Sequence, residues 1–159
     1  MWDHACPRLI QTNPCYLGSI TRGVLQDYVF EGKPQGGPFL RVSDFNDWFS
    51  QLPQFWLPES ERFPDPYRSH LPDDAAVTFT HGDLHRGNIL IAPSGPARVL
   101  AIVDWAHGGW YPDYWEYCKA AYTSSFEGEW LSQCVPRFLT PRLEEQEVFT
   151  EYCMAMGSV

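Results

Sequence analysis

The sequence predicts an α+β fold in a single domain spanning 1–159, mainly helical with one short β-hairpin. Apolar residues recur at helical spacing in three separate stretches, around 43–52, 112–122 and 140–156. Between the first and second of these, two short apolar runs at 88–92 and 98–104 flank Pro93-Ser94-Gly95-Pro96, a turn signal between paired strands. The 159 residues are 44% hydrophobic and 16% aromatic, richer in both than a disordered chain and enough for one packed core.

Residues 1 to about 42 show no sustained period and read as irregular, with Gly32, Pro34, Gly36, Gly37 and Pro38 clustering into a loop. A helix follows. Ser43 is placed to cap it, Asp44 suits its positive end, and Phe45, Trp48, Phe49 and Leu52 share one face until Pro53 stops it. The chain holds 14 prolines, close to twice the usual share of ~5%. Those at 53, 58, 64, 66 and 72 exclude a long helix before about residue 76, so this segment reads as a surface loop wrapping the core. Residues 76–80 form a short strand candidate, and the hairpin comes next. Pro112 then suits a first helical turn, where its missing N–H costs nothing, and Tyr111, Trp115, Cys118 and Tyr122 follow one face. A weaker helical stretch covers 126–139. Thr140-Pro141 opens the last helix, with Val148, Phe149, Tyr152 and Met156 inward and Gly157 as its stop.

Charge and cysteine usage exclude several classes. A net charge of −9 argues against nucleic acid and against an anionic membrane surface, both of which call for a basic stripe. Five scattered cysteines with no C-x-x-C pair support neither a disulfide framework nor a zinc site. No apolar stretch approaches the ~18 residues that span a bilayer, and the N-terminus lacks a secretory pattern. The expected setting is a reduced cytoplasm.

The chemistry lies between residues 81 and 104. His81-Gly82-Asp83-Leu84-His85-Arg86-Gly87-Asn88 reads as a loop between two apolar strands, and the strand at 99–103 delivers Asp104 and then Trp105. An acid, an amide five positions later and a second acid after the next strand are the groups a phosphoryl-transfer site needs. One carboxylate orients the attacking hydroxyl and takes its proton. An amide oxygen and another carboxylate hold magnesium, which prefers hard oxygen ligands and takes few protein groups. The same residues with His81, His85 and His107 can be drawn as a zinc site. The loop, however, has neither thiolates nor the helical H-E-x-x-H pattern that zinc chemistry favours.

The wording HGDLHRGNIL followed by IVDW resembles the aminoglycoside phosphotransferase and choline kinase-like family. Tyr16-Leu17-Gly18-Ser19-Ile20, Gly37-Pro38-Phe39 and the run from Gly109 to Tyr117 extend the resemblance over most of the chain. It implies the C-terminal lobe of a protein-kinase-like fold, ATP as phosphoryl donor, Mg2+ as cofactor and a small hydroxyl-bearing metabolite as acceptor. Carried over by position, Asp83 matches the catalytic base, while Asn88 and Asp104 match the magnesium ligands. His81 matches a residue that shapes the loop, and Trp105 one that packs behind the metal site. Glu116 corresponds to an acid that anchors the catalytic loop. It also fits as a first-turn acid favoured by the helix dipole.

An N-terminal nucleotide-binding lobe is expected to be absent. No Gly-rich strand turn precedes the site, and Lys33 lies in a Pro/Gly loop where a strand lysine would be needed. Two readings follow. In one, a phosphotransferase domain draws its upper lobe from a longer chain or a partner, and is weakly active or inactive alone. In the other, a non-catalytic remnant binds a metabolite or a protein.

Overall fold

The computed structural model describes residues 16–123 and 128–157. Cys6, Cys15, Phe126 and Glu127 lie outside the described residues.

The first helix, α1 (Val42–Gln51), turns Phe45 and Phe49 inward, as its spacing predicts, and continues through Pro53 as a 3-10 turn over Leu52–Gln54. Its cap differs from expectation. Arg41 occupies the N-cap position and makes no side-chain cap bond, while Ser43 lies inside the helix; Arg41 instead clamps Asp44 at 2.7 Å. The prolines after α1 leave only 3-10 turns at Glu59–Glu61 and Arg68–His70.

Two small antiparallel sheets carry the strands. Strand β1 (Gly18–Ser19), β2 (Val77–Thr80) and β5 (Gly109–Pro112) form one sheet in the order β1-β5-β2. Strands β3 (Ile89–Ile91) and β4 (Val99–Ile102) form the expected hairpin, with Ile89 opposite Ile102. The central strand β5 corrects the reading of Pro112 as a first-turn helical residue. Aromatic Trp110 and Tyr111 favour a pleated surface, and Pro112 closes the strand opposite Val77, at an end where a missing donor is tolerated. Gly109 permits the close approach of β1, since a Cβ there would stand 2.7 Å from the Gly18 carbonyl oxygen.

Helix α2 (Trp115–Thr123) therefore begins after β5, and α3 (Leu143–Met156) packs against it and ends at Gly157 with a left-handed φ of 68°. The stretch between them is irregular, with a π-type turn at Trp130–Cys134 and a 3-10 turn at Val135–Arg137.

Aromatic rings from all three helices meet in the core. Phe49 lies 5.0 Å from both Trp115 and Tyr152, and Trp115 lies 5.0 Å from Phe149, in edge-to-face contacts. Tyr111 stacks on Trp115 at 5.3 Å and so ties the sheet to the helices. Two of the buried polar groups beside them, Tyr114 and Asn46, are paired. Tyr114 donates to Asn46 Oδ1 at 2.6 Å, and Asn46 donates to Asp73 at 2.9 Å. Cys118 and Cys153 are free thiols within this core, and burial pushes Cys153 up to about 12. No helix among the described residues is long and apolar enough to cross a membrane.

Phe49→Ala is expected to lower unfolding free energy by ~3–5 kcal/mol, while Leu40→Ala, at a residue 74% exposed, should change it by less than ~0.5 kcal/mol. Urea denaturation of the two variants measures both values.

Candidate active site

The loop between β2 and β3 depends on backbone groups being satisfied where no ladder reaches them. Glu116, in the first turn of α2, accepts hydrogen bonds from the backbone N–H of His81 and of Gly82, the latter at 3.2 Å. The side chain of His81 completes the brace. Its Nδ1 accepts from the Asp83 N–H at 3.1 Å, and its Nε2 lies 2.8 Å from the Val103 carbonyl oxygen. One neutral tautomer, protonated at Nε2, satisfies both contacts. The buried imidazole thus links the residue before Asp104 to the backbone of Asp83. Trp105 packs against it with ring centroids 4.5 Å apart and stacks on Phe79 at 5.5 Å.

Asn88 is fixed from the other side. Its amide nitrogen lies 2.9 Å from the Asp83 carbonyl oxygen and 3.1 Å from Asp83 Oδ2. Both partners are acceptors, so the nitrogen must face them, and Oδ1 is the group left for a metal. The Val103 N–H donates to the Asn88 carbonyl at 2.9 Å, bringing Asn88 and the strand that ends at Asp104 side by side. Asp104 itself has φ 62°, an unusual conformation for a residue other than glycine, of a kind that concentrates at functional sites.

These groups suit a hard cation. Asn88 Oδ1 and the Asp104 carboxylate are oxygen donors on neighbouring strand ends, and magnesium needs few protein ligands. The zinc drawing loses its geometry. His85 Nε2 is 3.6 Å from Asp83 Oδ2, and His107 Nδ1 faces Gln26 and Tyr28. Among the described residues no three His, Cys, Asp or Glu are grouped to hold a metal.

Behind the loop lies a network that sequence reasoning missed. Lys119 Nζ donates to Asp27 Oδ1 at 2.6 Å with both side chains fully buried, and Trp115 Nε1 donates to Asp27 Oδ2 at 3.0 Å. The ammonium also sits 3.3 Å from the Tyr28 ring centroid. Burial pulls Lys119 down, and Asp27 opposes that shift. A signal was present in the sequence: Lys119 stands four residues after Trp115, on the inward face of α2. A Cβ placed on Gly82 would lie 3.4 Å from Asp27 Oδ2, so the pair abuts the loop that carries Asp83.

Two outcomes follow. Burial pushes Glu116 from its ordinary 4.5 up to about 7, against the two N–H donors that favour its charged form. Between these values the folded chain keeps a proton that the unfolded chain has released. This stabilising contribution is complete below pH 4.5 and is lost as pH rises through about 7. Urea midpoints measured across that window should fall with pH in the wild type, and Glu116→Gln should remove this component of the slope. In addition, Lys119→Met strands a buried carboxylate and should cost ~3–5 kcal/mol, part of which the double variant Asp27→Asn/Lys119→Met recovers.

The model of the phosphotransferase enzyme family matches residues 37–146, more than half of the chain. No curated protein and no solved structure matches it. The matched segment contains the whole of the loop, hairpin and bracing helix described above, including Asp83, Asn88, Asp104 and Glu116. On this match the chain belongs to the phosphotransferase enzyme family, the aminoglycoside phosphotransferase group that its HGDLHRGNIL and IVDW wording resembles.

Proposed function

We propose that the domain is the C-terminal lobe of a protein-kinase-like phosphotransferase, which moves the γ-phosphoryl group of ATP to a hydroxyl of a small metabolite. The observation that carries this reading is the contact of Asn88 Nδ2 with Asp83 Oδ2 at 3.1 Å. It joins a candidate base to a candidate metal ligand in one loop whose backbone is held by Glu116 and His81.

In this mechanism Asp83 orients the acceptor hydroxyl and takes its proton as the oxygen attacks. The Asn88 amide holds Oδ2 of that carboxylate in place, so the other oxygen is the one offered to the acceptor. Asn88 Oδ1 and Asp104 would hold Mg2+, which supplies charge neutralisation on the phosphates when bound. His81, neutral and buried, keeps the Asp83 backbone and the strand before Asp104 at a fixed separation. The chain's two lysines are engaged elsewhere, Lys119 with Asp27 and Lys33 with the Met156 carbonyl at 2.9 Å. The cationic phosphate clamp is therefore proposed to come from a further lobe, in the same polypeptide or from a partner.

Asp83→Asn keeps the amide contact's geometry but removes the base. In an assembly that turns over, it is expected to lower kcat by ~10²–10⁴-fold with little change in nucleotide affinity. Parallel rate and binding measurements check this. An unchanged rate would remove Asp83 from the mechanism.

A further inference from the structure

A cavity of about 430 Å3 opens between the segment 24–36 and His107, within the size range of small-molecule sites. It borders the catalytic loop. A Cβ on Gly82 would stand 3.0 Å from His107 Cβ and 3.4 Å from Asp27 Oδ2, and both of those residues line the cavity. Asp83 is the next residue along the chain. Tyr28, a further lining residue, has a phenol raised by burial first, then by the charges of Asp27 and of Asp83. A molecule held here lies next to the loop whose following residue is the carboxylate that the mechanism assigns to its hydroxyl.

The lining chemistry is close to neutral. Asp27 is matched by Lys119 at 2.6 Å, and Glu31 shares the wall with Lys33. Besides Val24, Leu25 and two glycines, the rest of the wall is the amides of Gln26 and Gln35, the imidazole of His107 and the rings of Tyr28 and Phe30. His107 Nδ1 lies 3.1 Å from the Tyr28 N–H and 3.0 Å from the Gln26 carbonyl oxygen. If Nδ1 accepts from Tyr28, Nε2 carries the proton; if Nδ1 donates to Gln26, Nε2 is an acceptor. Amides and an imidazole with two available tautomers suit hydroxyl groups, which both donate and accept, and aromatic faces suit the C–H face of a ring.

We propose that this cavity is the acceptor subsite and that it selects a neutral polyhydroxylated molecule, a polyol or sugar, over a cationic one. The assignment rests on the phosphotransferase reading above. A different cavity, lined by Trp56, Phe63, Tyr67, Asp65 and Glu151, has aromatic rings with carboxylates and no basic residue in its wall. It is the place a cation would be expected to choose.

The test is a 1H–15N spectral titration of the full chain with three probes: glucose, myo-inositol and glucosamine. Expected are shifts at Gln26, Tyr28 and His107 with the two neutral probes, and weaker binding of protonated glucosamine there. Tyr28→Ala should weaken neutral binding about tenfold, the scale of one lost ring face. Because the Tyr28 ring also covers the Lys119 ammonium, exposed Gln35→Ala serves as a second variant that leaves the core intact and should also weaken binding. Tighter binding of glucosamine, shifts confined to the Tyr67 and Glu151 cavity, or no shift with any probe would overturn the proposal. Mn2+ broadening at Asn88 and Asp104 is recorded on the same sample. Its absence would count against the phosphotransferase reading and with it the acceptor role, while the sugar titration alone decides whether the cavity binds a neutral polyol.

Discussion

Two consecutive backbone N–H groups, those of His81 and Gly82, point at the one carboxylate of Glu116. The loop that follows them is held further by His81, whose Nδ1 accepts from the Asp83 N–H, and by Asn88, whose amide contacts Asp83. It leaves β2, carries Asp83 and re-enters the hairpin through Asn88, and its conformation is set by what satisfies its backbone. Glu116 is delivered by the first turn of α2, so α2 must be placed correctly before the loop can be. That placement comes from Trp115, the neighbour of Glu116, which packs among Phe49, Tyr111 and Phe149. The aromatic core and the candidate active site are therefore successive links in one chain of contacts.

The Asp27–Lys119 pair belongs to the same chain of contacts. A buried ion pair is weak evidence for stability, since desolvation offsets most of the attraction. Its value here is geometric. Asp27 holds Trp115 Nε1 and Lys119 together and caps the turn at Tyr28–Phe30 through the Val29 N–H. Tyr28 and Phe30 of that turn line the cavity that borders Gly82. Charges placed inside the core thus fix the relation between the irregular N-terminal segment and the loop that carries Asp83.

Much of this was legible in the sequence, for identifiable reasons. The hairpin was readable because Pro93-Ser94-Gly95-Pro96 separates two apolar runs, and α1 because Phe45 and Phe49 keep a helical spacing. The family was readable because the HGDLHRGNIL and IVDW wording lies within the segment that its model matches. Strand β5 was missed since Pro112 suits a helix start as well as a strand end, and only pairing with β2 and β1 decides between them. The role of Asp27 was not legible because its partners are 88 and 92 residues away. No local pattern marks an acid as buried when its counter-ion lies on another helix. Glu116 allowed two local readings, and the hydrogen bonds to His81 and Gly82 come from a segment distant in sequence.

The central claim is that Asn88 and Asp104 form one oxygen site for a divalent cation beside Asp83. Paramagnetic broadening of backbone amide signals by Mn2+ with ATP tests it directly, because broadening depends on distance and survives weak affinity. The account predicts selective loss of the Gly87, Asn88 and Asp104 signals in the wild type and their retention in Asp104→Ala. Equal broadening in both proteins, or broadening centred elsewhere, would contradict it.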